Sequence, residues 1–392
     1  MRDVPDARLK GMIDYPLYEI LVIAFLAVLA GASGWTDMMM FGKKKKKWLK
    51  KFLPLQNGIP SHDTFRTVFS LIDPVTLEQS TVCFILERLA KIKKALNLSA
   101  EGKRHICVDG KEERGTGRKY GTDEKTKNLQ TLHIHDASNE VCLFSVSIPE
   151  KTNEIPVAQE LLKSMNLKGC IVTFDAMNTQ KDTVEIIAEN GGDYVGALKG
   201  SQKIFHKEII DFFTEEECRE IRKKKKCYYT TIEKAHNKVE TRSCYLTTDI
   251  NWFEDKNFWM NLKSFIRYDL KTEDLVTGEI TFDTRFYISS SKDVELCATS
   301  IRGHWSVEVL HWHLDVNFNQ DDNTTMNKNA ITNLSILNKL CLSLYKIVQP
   351  LSKWSIRGIR KGFAWDLEES LTELLNAFDE KYLKQILQSA KK

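Results

Sequence analysis

Apolar and polar positions follow three regimes along this chain. Residues 1–98 read as helical. An unbroken apolar run, Ile20-Leu-Val-Ile-Ala-Phe-Leu-Ala-Val-Leu-Ala-Gly-Ala32, predicts a buried helix near 17–31, and a second helical segment is expected around Trp35–Phe41. After the turn Asn57-Gly-Ile-Pro-Ser-His62, Ser61 or Asp63 can cap a helix beginning near Thr64, whose Phe65, Val68, Phe69 and Ile72 keep helical spacing. That turn suits a helix-turn-helix and a plain helical connection equally. From about 103 the period changes. Ile106–Val108, Leu129–Ala137 and Val141–Ile148 read as successive strands, with Asp136-Ala-Ser-Asn-Glu140 turning between the last two. A helix (155–165), a strand (170–174), a helix (180–189) and a strand (194–198) follow, which predicts a mixed α/β sheet. The stretch from Gly200 to about Thr299 breaks this alternation. It starts with a helix (Lys203–Phe213), passes through the charged Glu215–Lys226, and turns β-rich at 227–232, 241–247, 264–268 and 285–289, like an insertion. From Ser300 the pattern is helical again, and Leu334, Leu337, Leu340, Leu342 and Leu344 mark a buried helix. No internal repeat is evident.

Composition narrows the partners. The 392 residues exceed one average domain, a 42% hydrophobic share supports a large core, and a net charge of only +4 excludes a general polycation. Any nucleic-acid surface must therefore come from local clusters. Lys43, Lys44, Lys45, Lys46 and Lys47 form one, continued by Lys50 and Lys51 with Trp48, Leu49 and Phe52 interleaved. Arg222–Lys226 and Arg357, Arg360 and Lys361 form two more. A lysine run is commonly a solvated loop, but three such patches, one with aromatics beside it, favour phosphate contact. The nine cysteines, odd in number and without a Cys-x-x-Cys pair, point to reduced thiols in a cytosol. The thirteen-residue apolar run is too short to span a bilayer. Asp3, Asp6, Asp14 and Glu19 give its flank the wrong charge for a secretion signal, so a cytoplasmic protein with no membrane partner is expected.

Three acids carry the candidate chemistry. Asp109 ends the strand-like run from His105, Asp175 ends the run from Cys170, and Glu308 lies within a helix. Singly, each reads as a turn, cap or solvated residue. Together, two strand-end carboxylates and one from a helix can hold two divalent ions roughly 3.5–4 Å apart against a phosphodiester. The rival is zinc. His304, Glu308 and His311 share a helical face, yet the His-Glu-x-x-His order is missing, and His133 and His135 read more simply as packing residues. Neither a phosphate-binding Gly-x4-Gly-Lys loop nor a Gly-x-Ser-x-Gly elbow occurs.

Several long words then appear in order. They are Tyr15-Pro-Leu-Tyr-Glu-Ile-Leu21, Ala30-Gly-Ala-Ser-Gly-Trp35, the stretch Phe52 to Phe65, Val108-Asp-Gly-Lys111, Lys151-Thr-Asn-Glu-Ile155, Thr173-Phe-Asp-Ala-Met177, the stretch Gly192 to Gly200, and His304-Trp-Ser-Val-Glu308. Through them the chain resembles, from about residue 10 to Asp366, the H-repeat (ISAs-type) insertion-sequence transposases, DDE enzymes with a ribonuclease-H-like core. The resemblance implies that Asp109, Asp175 and Glu308 bind two Mg²⁺ or Mn²⁺ ions and catalyse cleavage and strand transfer. It implies a helical DNA-binding domain over 1–98, a catalytic domain over 99–350 interrupted by a β-rich insertion at 200–299, and a basic helical tail over 351–392. The expected partner is double-stranded DNA, the element's terminal inverted repeats and the target, at the bacterial nucleoid, with a homodimer pairing two ends. Lys111, Lys199, Gln202 and His304, with Lys43–Lys47, Arg357 and Arg360, are the candidate DNA contacts. The chain also departs from the pattern. The Tyr-x2-Arg-x3-Glu-x6-Lys signature of related transposases would fall on Ile301, His304 and Asp315, Val309 replaces an Asn after the acid, and Thr325, Met326 and Asn327 stand where basic residues are expected. The alternative is an inactive or repurposed DNA-binding derivative.

Overall fold

The computed structural model describes residues 4–379 except 10, 12, 96–101, 118–126 and 353, together with 381 and 382. Helix α1 (Leu17–Leu29) is apolar nearly all round, and Ile20, Leu21, Ile23, Ala24, Ala27, Val28 and Leu29 are fully buried, as expected of a core helix. Helix α2 (Trp35–Leu49) runs on through the lysines. The helical segment expected around Trp35–Phe41 thus extends to Leu49, for two reasons. Lysine is a good helix former, and Met38, Gly42 and Leu49 keep one face of α2 buried. Helix α3 (His62–Leu71) is capped at Ser61, whose Oγ accepts from the Thr64 N–H at 3.1 Å, and it buries Phe65, Val68 and Phe69. Helix α4 (Pro74–Ala95) follows after a bend of 93°.

These N-terminal helices pack around a segment far along the chain. In α10 (Lys328–Ser352) every residue from Ala330 to Tyr345 is buried. Its Asn333 donates from Nδ2 to the carbonyls of Phe69 (2.8 Å) and Ile72 (2.9 Å), satisfying groups that the end of α3 leaves open. Lys339 meets Glu78 of α4 at 3.3 Å, both buried, and Tyr345 Oη donates to Leu29 O at 2.7 Å. Helices α11 (Ile356–Trp365) and α12 (Leu367–Asn376) complete this layer. Among the described residues no single helix is long and apolar enough to cross a membrane, and all nine cysteines are free thiols.

The middle of the chain forms one nine-stranded sheet. Its strands are β1 (Arg104–Glu113), β2 (Leu129–Asp136), β3 (Val141–Ser147), β4 (Cys170–Phe174), β5 (Asp193–Leu198), β6 (Tyr228–Ala235), β7 (Lys238–Thr247), β8 (Ser264–Asp274) and β9 (Ile280–Ser289), in the order β3-β2-β1-β4-β5-β9-β8-β7-β6. β1 to β3 are an antiparallel meander, and β4 and β5 run parallel to β1, the ribonuclease-H-like arrangement expected. All five residues of β4 are buried, as a central parallel strand covered on both faces requires. Helices α5 (Glu154–Lys163) and α6 (Lys181–Glu189) make the crossovers around it.

The 200–299 stretch does not form a sheet of its own. After α7 (Lys203–Phe212) and α8 (Glu215–Lys223), β6 to β9 form an antiparallel meander whose last strand pairs with β5, from Val195↔Ser289 to Leu198↔Phe286. The edge of β5 is thereby covered. Helix α9 (Val294–Phe318) begins before the expected Ser300, because Asp293 accepts from the Leu296 N–H at 3.0 Å and caps it. It ends at Asn319, in the left-handed region with φ 53°.

Candidate active site

Sheet register brings the first two acids together. β1 and β4 pair from Arg104↔Cys170 to Val108↔Phe174, so the next position on each chain is Asp109 and Asp175. Asp109 is not at a strand end, as the sequence suggested. β1 continues to Glu113 against β2, and Asp109 marks only the end of its parallel pairing. Asp175 follows β4 directly and turns the chain. Its Oδ1 accepts from the Asn178 N–H at 3.0 Å and from Asn178 Nδ2 at 3.1 Å. Thr179 Oγ1 donates to Asp175 O (2.9 Å) and Ala197 O (2.7 Å), tying the turn to β5. The Gln202 amide donates to Ala176 O (3.1 Å) and Thr179 O (2.7 Å). Gln202, expected among the DNA contacts, therefore uses this amide to brace the Asp175 turn.

Glu308 arrives on α9, whose Val307, Leu310 and Leu314 are buried while Glu308 itself is exposed. The approach of α9 to β1 is close. A Cβ at Gly303 would lie 2.8 Å from His105 Nδ1. Asp109, Asp175 and Glu308 line one cavity, together with Lys199, Ile301, His304 and Trp305. Burial pushes the Asp109 carboxyl up to about 7, reinforced by the charges of Asp175, Glu154 and Glu308.

Glu154 is not among the acids that the sequence singles out, although it stands in the Lys-Thr-Asn-Glu-Ile word. It is the first residue of α5, which Asn153 caps through the Ile155 N–H at 3.1 Å. Its Oε1 accepts from Asn178 Nδ2 at 2.8 Å, and burial followed by the Asp175 charge raises its pKa. A polar word ending in a cap-plus-acid was its only sequence signal, and that signal is indistinguishable from an ordinary helix start.

The donor set here is carboxylate oxygen crowded by like charge, the chemistry that a hard divalent ion such as Mg²⁺ neutralises. Near it, Asn178 Oδ1 is buried without a hydrogen-bond partner among the described residues. Among the described residues no group of three or more His, Cys, Asp or Glu side chains is set to hold a metal ion as it stands. The residues fit the ion by chemistry and charge rather than by a closed coordination shell.

The histidines disperse. His304 Nδ1 and His105 Nε2 each lie 2.8 Å from Thr173 Oγ1, and burial holds both rings down at about 4. His304 is thus neutral at physiological pH and does not replace a cationic phosphate clamp. His311 Nε2 meets His133 Nδ1 at 2.8 Å. Its Nδ1 is 3.7 Å from Asp109 Oδ2, but burial depresses this ring to about 3, so the contact is not an ion pair. His304 and His311 therefore turn to different partners rather than to a shared zinc.

The basic candidates divide into inward and outward sets. Lys43, Lys44, Lys46 and Lys47 are exposed on α2 and Lys45 is half-buried; Lys199 and Arg357 are exposed. Lys111 is buried, with Nζ 2.5 Å from Asp315 Oδ1 and 3.8 Å from Asp321 Oδ1. Arg360 donates from Nη2 to Gly31 O at 2.9 Å and lies over the Phe318 ring at 5.2 Å. Expected at phosphates, Lys111 and Arg360 instead serve internal contacts, since each meets its partners inside the fold. Val309 is half-buried on α9.

Comparison with known proteins finds relatives over most of the chain. Residues 100–344 match the family described as "Transposase DDE domain", and residues 1–85 match "DDE_Tnp_1-associated". The chain is 32% identical over 349 residues to "H repeat-associated putative transposase YhhI" of Escherichia coli (strain K12), covering 87% of this chain and 88% of that protein. It is 33% identical over 370 residues to "Putative transposase YncI" of Escherichia coli O157:H7, covering 92% and 90%. A shorter relative from strain K12, "Inactive transposase YbfQ", is 39% identical over 66 residues, 17% of this chain and 79% of its own length. Among solved structures, a piggyBac transposase synaptic complex with hairpin DNA matches with a TM-score of 0.37 at 10% identity, covering 97% of this chain and 76% of that one. The chain belongs to the H-repeat-associated DDE transposase family.

Proposed function

We propose that this chain is a DNA transposase that cuts the ends of its own insertion sequence and joins the freed 3′ hydroxyls to target DNA, with Asp109, Asp175 and Glu308 as the reacting acids. The observation that carries this reading is their convergence, from β1, the turn after β4 and α9, into one cavity where burial, reinforced by mutual repulsion, lifts the Asp109 carboxyl to about 7. Two divalent ions, Mg²⁺ or Mn²⁺, held by these three acids would supply activation of the attacking oxygen and charge stabilisation of the leaving one. Asp109 and Asp175 are held side by side by strand register, so their separation is set by the sheet. Glu308 approaches from the helix side, which leaves the cavity mouth open to a DNA strand. Lys199 at the cavity provides a phosphate contact. His304 holds Thr173 and so fixes α9 against β4. The exposed lysines of α2 and Arg357 hold the terminal repeats, and two copies pair two ends at the nucleoid, in the cytoplasm.

Purified full-length protein, supplied with its element's end sequences and Mg²⁺ or Mn²⁺, should nick and join DNA. Asp109→Asn, Asp175→Asn and Glu308→Gln should each abolish both steps while binding of end DNA persists. Activity in any of the three equal to the parent defeats the assignment. DNA binding with no metal-dependent cleavage by the parent would identify a non-catalytic derivative instead.

A further inference from the structure

We propose that Glu154 is a fourth carboxylate of the divalent-cation site, a role that rests on the reading of Asp109, Asp175 and Glu308 as its acids. An acid in the first turn of a helix ordinarily needs no further explanation, because it complements the helix dipole. Two relationships here exceed that explanation.

The first is steric. A Cβ built at Gly110, the residue after Asp109, would collide with Glu154 Oε2. Gly110 does not have a positive φ, so backbone conformation does not demand glycine there. What the missing side chain provides is room for the Glu154 carboxylate against the backbone of the catalytic strand.

The second is a shared donor. Asn178 Nδ2 donates to Glu154 Oε1 at 2.8 Å and to Asp175 Oδ1 at 3.1 Å, while its backbone N–H donates to the same Asp175 oxygen at 3.0 Å. Asn178 is fully buried, and its remaining acceptor, Oδ1, has no hydrogen-bond partner among the described residues. Rotating the amide would set that oxygen against two carboxylates, so the hydrogen bonds define its orientation. The amide thus presents its donor side to both carboxylates and holds them together. Glu154 and Asp175 are thus fixed as a pair by one asparagine, and Glu154 borders Asp109 through Gly110. It acts by adding negative charge and a carboxylate oxygen where the ion sits.

Binding of Mn²⁺ alone to the full-length protein, followed by the electron paramagnetic resonance of free Mn²⁺, tests this without DNA or turnover. Glu154→Gln should weaken Mn²⁺ binding by roughly tenfold or more, with circular dichroism and thermal unfolding of the metal-free protein unchanged. Should that variant be unstable, Glu154→Ala in the same assay decides between the same two outcomes. Parent-like affinity in the folded variant overturns the proposal. Asp109→Asn separates the two ideas. If it loses Mn²⁺ while Glu154→Gln does not, only the role of Glu154 fails. If Asp109→Asn binds Mn²⁺ as the parent does, the three-acid site fails, and the role of Glu154 with it.

Discussion

Lys111 of β1 and Asp315 of α9 form an ion pair, Nζ to Oδ1 2.5 Å, in which the lysine side chain is only 5% exposed. The Tyr-x2-Arg-x3-Glu-x6-Lys pattern of the resemblance would put a lysine where this chain has Asp315. Here the cation comes from the strand and the anion from the helix, 204 residues apart. The pair pins α9 to β1 about two turns beyond Glu308, and it leaves neither group free for phosphate.

Removing one partner should cost stability. Asp315→Ala leaves the Lys111 ammonium buried, with Asp321 at 3.8 Å as its remaining ion-pair partner among the described residues. The expected loss is about 2–3 kcal/mol, below the full penalty for a wholly buried pair because Asp315 is 31% exposed. Asp315→Lys, which restores the signature residue, should cost at least as much, since two ammonium groups then meet. The exchange Lys111→Asp with Asp315→Lys should recover part of the loss. Urea unfolding of the three variants measures this.

The close approach at Gly303 predicts a functional loss from a small substitution. Gly303→Ala places a methyl 2.8 Å from His105 Nδ1 and 3.0 Å from Cε1. His105 is held by Thr173, so α9 must shift instead. A cost of about 1–3 kcal/mol is expected, together with reduced DNA nicking because the shift carries Glu308 away from Asp109. Parent-like nicking in this variant would show that the placement of Glu308 tolerates the movement.

Buried histidines make the fold sensitive to acid. Burial holds His105 at about 4 and His135 at about 3, against an ordinary 6.5. The unfolded chain takes up these protons as pH falls through 6.5, while the folded chain does not until near 4. Their contribution is therefore complete above 6.5 and is lost progressively on acidification. At pH 5 the loss is on the order of 2 kcal/mol for each ring. Glu113, which burial lifts to about 7, works in the opposite direction: its folded form binds a proton first, so it gains stability as pH falls from 7 towards 4.5. His135→Gln isolates one contribution. Its stability, measured by urea unfolding at pH 7.5 and pH 5.0, should fall less over that interval than the parent's.

The α2 lysines predict a salt signature. Replacing Lys43, Lys44, Lys46 and Lys47 with alanine should reduce the slope of log binding constant against log salt by roughly 0.9 for each phosphate no longer neutralised. Metal-dependent chemistry on ends supplied at saturating concentration should be retained. An unchanged slope in filter binding would remove α2 from the DNA surface.

Local features were readable from the chain because they are decided within a few residues. The buried strand from Cys170 to Phe174 follows from its apolar run, and the Ser61 cap follows from its place before Phe65. Asp109, Asp175 and Glu308 were singled out by the words around them. The extension of α2 through Lys43–Lys47 was missed, since a charge run has the same composition in a helix and in a loop, and only the buried face of Met38, Gly42 and Leu49 distinguishes them. Glu154 and the pairing of Lys111 with Asp315 were out of reach for a different reason. Sequence determined which residues could serve, through periodicity, capping and residue chemistry acting over one or two turns. Tertiary structure decided which of them meet, because the β1–β4 register and the packing of α9 across the sheet fix distances between groups that lie tens to hundreds of residues apart in the chain.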